Sequence, residues 1–139
     1  MAAIRKHVTR EVVTVGAAEP MRAAAQLMEE RRIGSVVVRD GARSLGLVTE
    51  RDLMRTVCVL GLDPGRPVRG AMRTGIPRVS AAATEAETAD VMREHTTRHL
   101  LVEENGEVFG VISMRDIIQL MIDEKEHLIG QLQAYIEGR

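Results

Sequence analysis

The sequence predicts an α/β (α+β) fold made of two β-α-β-β-α copies packed about a pseudo-twofold axis, with one further helix at the C-terminus. Three observations lead there. "GLVTERD" at residues 46–52 returns as "GVISMRD" at residues 110–116, an offset of 64. The same offset aligns Val15 with Val79, Ala17 and Ala18 with Ala81 and Ala82, Ala25 with Ala89, Met28 with Met92, and Val38 with Val102. It holds without insertion over about 55 residues, as a structural repeat does and a chance match does not. Within each copy the apolar spacing alternates between strand-like runs and a helical period.

The copies are drawn as residues 3–60 and 67–122, joined by "LDPGRP", where Pro64, Gly65 and Pro67 interrupt regular structure. Each opens on a short helical turn, "AIRKHV" or "VRGAM", followed by an extended piece, "EVVTV" or "IPRV". A helix comes next. In "EPMRAAAQLMEERR" the apolar and small residues Met21, Ala24, Ala25, Leu27 and Met28 recur at helical spacing, and Pro20 suits the first turn. "TEAETADVMREHTT" is its counterpart. A hairpin follows, marked by Asp40-Gly41 in the first copy and Asn105-Gly106 in the second. The continuous apolar runs "SVVV" and "LLV" read as strands covered on both faces. Helices then start near Arg51 and Met114.

Composition narrows the function. Lys plus Arg is 19 and Asp plus Glu is 20, so no basic field recommends a nucleic acid polymer as partner. One Phe, one Tyr and no Trp leave an aliphatic core and no stacking platform for bases. No apolar run approaches the roughly 20 residues of a membrane helix, and "MAAIRKHVTR" has no apolar signal core. A single cysteine, Cys58, forms no internal disulfide, so the expected compartment is the cytoplasm. Its apolar surroundings, "LMRTVCVLGL", predict a buried packing residue. His7, His95 and His127 show no ligand spacing, and no metal cluster or nucleophile–base pair stands out. A non-enzymatic role is expected.

The repeated box has two readings. Thr49-x-x-Asp52 and Ser113-x-x-Asp116 match a helix N-cap with an acid at the third position, each side chain answering the other's backbone N–H. Both boxes also fall where a strand passes into a helix. There the free N–H groups favour anions, and a carboxylate can accept from two vicinal hydroxyls. Gly46 and Gly110 would let a backbone or a ligand come close.

Together, "VTREVVTV" and "MRTGIPRV", the hairpins "IGSVVVRDGARSLGLVTERDL" and "TRHLLVEENGEVFGVISMRDI", and the doubled G-h-h-[ST]-x-x-D ending resemble a tandem pair of CBS (cystathionine β-synthase) domains, a Bateman module. The resemblance spans residues 3 to 122. It implies a regulatory sensor of AMP, ADP, ATP, NAD or S-adenosylmethionine, with ligand clefts between the copies. Carried over, Asp52 and Asp116 hold ribose hydroxyls with help from Thr49 and Ser113. Adenine lies against the opening strands, near Val13 and Thr14 or Ile76 and Pro77, and Arg98 and His99 meet phosphate. The first copy departs from the pattern, with Gly34 and Ser35 in place of Arg98 and His99. Arg51 and Arg115 are further phosphate candidates, and Mg²⁺ is an optional companion of the nucleotide.

Outside the repeat, residues 123–139 predict an amphipathic helix, with Leu128, Ile129, Leu132, Tyr135 and Ile136 on one face. That face suits its own core, a client protein bound in trans or, as twofold contacts are the commonest oligomer solution, a homodimer. A ligand-free structural dimer is the alternative function, with both boxes serving only as caps.

Overall fold

A computed structural model describes residues 3–8 and 12–138. Glu11, expected to open the first extended piece, and Arg139 at the end of the tail lie outside the described residues, as does the side chain of His7. The chain divides into two compact units, Arg10–Ile76 and Met1–Thr9 with Pro77–Arg139.

The Arg10–Ile76 unit contains β1 (Thr14–Gly16), α1 (Met21–Arg31), β2 (Ser35–Asp40), β3 (Arg43–Thr49) and α2 (Glu50–Leu53). Its sheet has the order β1-β2-β3. β1 and β2 are parallel, so a crossover must join them, and α1 is that crossover. β2 and β3 form an antiparallel hairpin with Ser35 opposite Thr49. Val36, Val37 and Val38 are all buried, as their unbroken apolar run requires.

The other unit repeats the plan with β4 (Arg78–Ser80), α3 (Glu85–Glu94), β5 (His99–Glu104), β6 (Glu107–Ser113) and α4 (Met114–Ile136). The sheet order is β4-β5-β6, and His99 faces Ser113. Its hairpin turns on Asn105 and Gly106, both at positive φ, the conformation the Asn-Gly pair adopts readily. α1 and α3 end alike. Arg32 and Thr96 are left-handed, and the N–H groups of Ile33 and Thr97 return to the Met28 and Met92 carbonyls at 3.0 Å.

The compact units and the sequence copies are offset by one element. The opening turn at Ile4–His7 lies against the β4-β5-β6 unit, where the Ile4 and Arg5 N–H groups donate to the Ala83 and Ala81 carbonyls at 2.9 and 3.1 Å. The turn at Val68–Gly70 does the same in the first unit, Val68 and Arg69 donating to Glu19 and Ala17 at 2.7 and 3.3 Å. Each turn completes a core. Ile4 and Val8 pack with Val79, Met92, Leu100 and Ile112, and Val68 and Ala71 pack with Val15, Met21, Met28 and Val48.

Three local features differ from the sequence expectation. The tail does not form a separate helix, because nothing between Met114 and Ile136 breaks the turn pattern, and α4 runs unbroken for 23 residues. After α2 the backbone widens into a π-helix at Met54–Val59, where the Thr56 hydroxyl donates to the Asp52 carbonyl at 2.7 Å and competes with the α-helical ladder. Cys58 is exposed rather than buried, since that widened turn aims it outward while Thr56 takes the inner position.

One position carries a polar group where its repeat mate is core. Met21 is 1% exposed, and its counterpart Glu85 is 2% exposed. Burial, and secondly a hydrogen bond and charge from Glu124 on α4, raise the Glu85 carboxyl above its ordinary 4.5. A raised acid holds its proton more tightly in the native chain. Its contribution is therefore complete below the unfolded value and is lost as pH rises through the folded one. Glu85→Met is expected to raise stability at neutral pH and to flatten that decline, as read from urea midpoints at acidic and neutral pH.

Candidate functional site

Each hairpin delivers its second strand straight into a helix, and the spacing of the box, the same in both copies, fixes that junction. At the first, the Asp52 N–H donates to Thr49 Oγ1 at 3.2 Å, while the Thr49 N–H and hydroxyl both donate to Asp52 Oδ2 at 2.9 Å. At the second, the Asp116 N–H donates to Ser113 Oγ at 3.1 Å and the Ser113 N–H donates to Asp116 Oδ2 at 2.8 Å. Both are complete capping boxes.

The surroundings then diverge. The Asp52 side chain is 3% exposed. Arg55 Nη2 reaches its Oδ1 at 2.9 Å, and Arg73 Nε reaches its Oδ2 at 3.3 Å. Arg55 arrives by helical i+3 spacing. Arg73 arrives through the backbone, because Leu47 and Arg73 exchange N–H···O bonds of 3.0 and 2.8 Å. Gly46 makes that approach possible, since a Cβ there would lie 2.3 Å from the Arg73 carbonyl oxygen. Asp116, by contrast, is exposed, and among the described residues only Ser113 donates to it.

Other sequence-predicted residues gather at the same ends of the two sheets. Val13 accepts from the Val37 N–H at 3.0 Å and Thr14 pairs with Val37, while Gly34 accepts from Glu50 at 3.0 Å beside Ser35 and Thr49. In the second unit Pro77 accepts from the Leu101 N–H at 3.0 Å, and Arg98 accepts from the Met114 N–H at 2.8 Å. His99 sits opposite Ser113, and its N–H donates to Thr97 Oγ1 at 3.4 Å. Ile76 is half-buried and belongs to the first unit. The Arg98 side chain lines a groove of about 530 Å³ with Asp90, Arg93, Thr96, Thr97 and Met114, and Ser113 and Asp116 are not among its walls. Arg51, Arg115, His95 and His127 are exposed.

Sequence reasoning missed Arg55 and Arg73. Arg55 had a signal, three residues from an acid on a helix. Arg73 had none, since 21 positions separate it from Asp52 and only the sheet edge unites them.

Two three-stranded sheets, each feeding a capped helix from its hairpin, define a tandem-repeat α/β module. The CBS domain model matches residues 4–58 and 68–130, and the chain belongs to the CBS domain family. Hypoxic response protein 1 of Mycobacterium tuberculosis is 34% identical over 122 residues, covering 86% of this chain and 83% of its own. A CBS-domain containing protein from Agrobacterium tumefaciens superposes with a TM-score of 0.77 at 32% identity, over 86% of this chain and 99% of that one. A CBS domain protein from Pyrobaculum aerophilum, solved in complex with AMP, gives 0.71 at 29% identity over 82% and 88%.

The two junctions differ in what their acids hold together. Losing a cap costs about 1 kcal/mol, and a hydrogen bond to a charged group contributes roughly 1.5–3 kcal/mol, less where the partners are exposed. Asp52→Ala is therefore expected to lower stability by about 2–4 kcal/mol and Asp116→Ala by about 1 kcal/mol in urea unfolding.

Proposed function

We propose that the chain is a non-enzymatic regulatory module that binds an adenosine nucleotide of the AMP, ADP or ATP class. The ribose hydroxyls meet Asp116 and Ser113, the adenine lies near Ile76 and Pro77, and Arg98 and His99 serve the phosphates. Val13, Thr14, Thr49 and Asp52 form the corresponding set in the first copy. The observation that carries this reading is the exposed Asp116 carboxylate at a strand-to-helix junction, where among the described residues Ser113 holds Oδ2 and nothing donates to Oδ1. The AMP complex of the Pyrobaculum relative supports the ligand class. Two hydrogen bonds to a carboxylate contribute roughly 1.5–3 kcal/mol each, short of the ~8 kcal/mol net of a micromolar complex, so base and phosphate contacts supply the remainder. Among the described residues no group of three or more His, Cys, Asp or Glu gathers to hold a metal. Mg²⁺ accompanying ATP would be carried by the phosphates. No described helix is long and apolar enough to cross a membrane.

Calorimetric titration with AMP, ADP, ATP, NAD and S-adenosylmethionine tests the reading. At least one adenine nucleotide is expected to bind, with Asp116→Ala weakening it by about tenfold or more while the fold persists. A flat response to the whole panel leaves a ligand-free scaffold. Signalling, to a client in trans or through a homodimer, is assigned to α4, whose Leu128, Ile129, Leu132, Tyr135 and Ile136 are all exposed. Leu132→Glu is expected to convert a dimer to a monomer in light scattering, and a wild-type chain already monomeric at working concentration would remove the dimer.

A further inference from the structure

The two junctions share a backbone and differ in their acceptor accounts. An ionised carboxylate offers about four lone-pair positions. At Asp52 four donors converge, the Thr49 N–H, the Thr49 hydroxyl and Arg73 Nε on Oδ2 and Arg55 Nη2 on Oδ1, which leaves at most one position free. At Asp116, among the described residues, only the Ser113 N–H takes one. Two vicinal hydroxyls need two free acceptors, which Asp116 has and Asp52 lacks.

The residues responsible are legible from the repeat. The counterparts of Arg55 and Arg73 in the other copy are Gln119 and Thr9, neither of them charged. Gln119 Nε2 donates to Asp123 at 2.9 Å rather than to Asp116. Arg73 is held in register by the paired backbone bonds to Leu47, so its guanidinium is delivered to Asp52 by the sheet edge itself. Both arginine side chains keep a solvent face, 52% and 41% exposed, so each can leave without opening the core.

We infer that Arg55 and Arg73 are a built-in lock on the Asp52 junction. They occupy the acceptors a ribose would use, so the chain takes a single nucleotide, at Asp116, and keeps a second junction closed. The choice of ligand rests on the nucleotide reading above, whereas the lock is a property of the chain alone, and the two are tested separately.

Titration of the full chain with AMP is expected to give one nucleotide per wild-type chain. Arg55→Gln with Arg73→Thr puts the second copy's residue types at these two positions and, with Gly34→Arg and Ser35→His supplying the phosphate residues of the second copy, is expected to raise this to two. Adding Asp52→Asn is expected to return it to one. Two nucleotides per wild-type chain, or an unchanged single site in the combined variant, overturns the lock. A double-mutant cycle of Asp52→Asn and Arg73→Thr, followed by urea unfolding without nucleotide, is expected to show a coupling of about threefold or more in the unfolding constant. Strict additivity there overturns the lock as well, and this arm holds even where the combined variant fails to fold. No binding of AMP by any form sinks the nucleotide reading, and the coupling then decides the lock by itself.

Discussion

The strand-to-helix junction is the constraint on which the remaining structure turns. A strand leaving a hairpin and entering a helix frees backbone N–H groups that have no intrahelical partner. The box answers this with two side chains, a hydroxyl for the third N–H and a carboxylate for the cap's own N–H. Once the cap is made, the carboxylate stands at the rim of the sheet with acceptor capacity left over. What surrounds it then decides whether that capacity is spent within the chain or offered outward. At Asp52 two arginines spend it; at Asp116 it stays exposed to solvent.

Two copies on one backbone plan have therefore drifted into different chemistry at a handful of positions. Gly34 and Ser35 stand opposite Arg98 and His99, Arg55 opposite Gln119, and Met21 opposite Glu85. None of these changes disturbs strand order or helix ends, because apart from Met21 the cores rely on other residues, chiefly the buried valines of β2 and the Leu100–Val102 run of β5. Charge has moved while packing has stayed. The first copy gathers two arginines against its own acid, and the second leaves Arg98 and Asp116 exposed.

Much of this was readable from sequence for physical reasons. The repeat, the Asn105-Gly106 turn, the buried valine run and the caps are all local patterns, and local patterns survive into the fold. The exchanged opening turns were not readable. Ile4 and Val68 look like the start of their own copies, and only the pairing of Ile4 with Ala83 and Val68 with Glu19 reveals the offset. The environment of Asp52 was hidden similarly, since Arg73 reaches it across the sheet edge over Gly46. Cys58 misled because an apolar neighbourhood in sequence says nothing about a π-turn that rotates the helix face. Sequence reported the caps, and three-dimensional pairing determined which cap retained free acceptors.

The position of the open acid also bears on how binding could be transmitted. Asp116 is the third residue of α4, and α4 is 23 residues long, about 35 Å at 1.5 Å per residue. Its first turns are anchored by Ile117 and Leu120, which are buried, while Ile118, Met121, Ile122 and the residues beyond are exposed. A ligand hydroxyl that donates to Asp116's spare oxygen loads the same turn whose cap fixes the helix start. It can bias the helix only if it binds one arrangement of that turn better than another. Because the helix is continuous, any such bias is carried to an exposed apolar face without crossing a loop. Asp52 has no comparable lever, as its helix gives way to a π-turn within four residues. The acid left open thus stands at the start of the longest described helix, whose later turns are exposed.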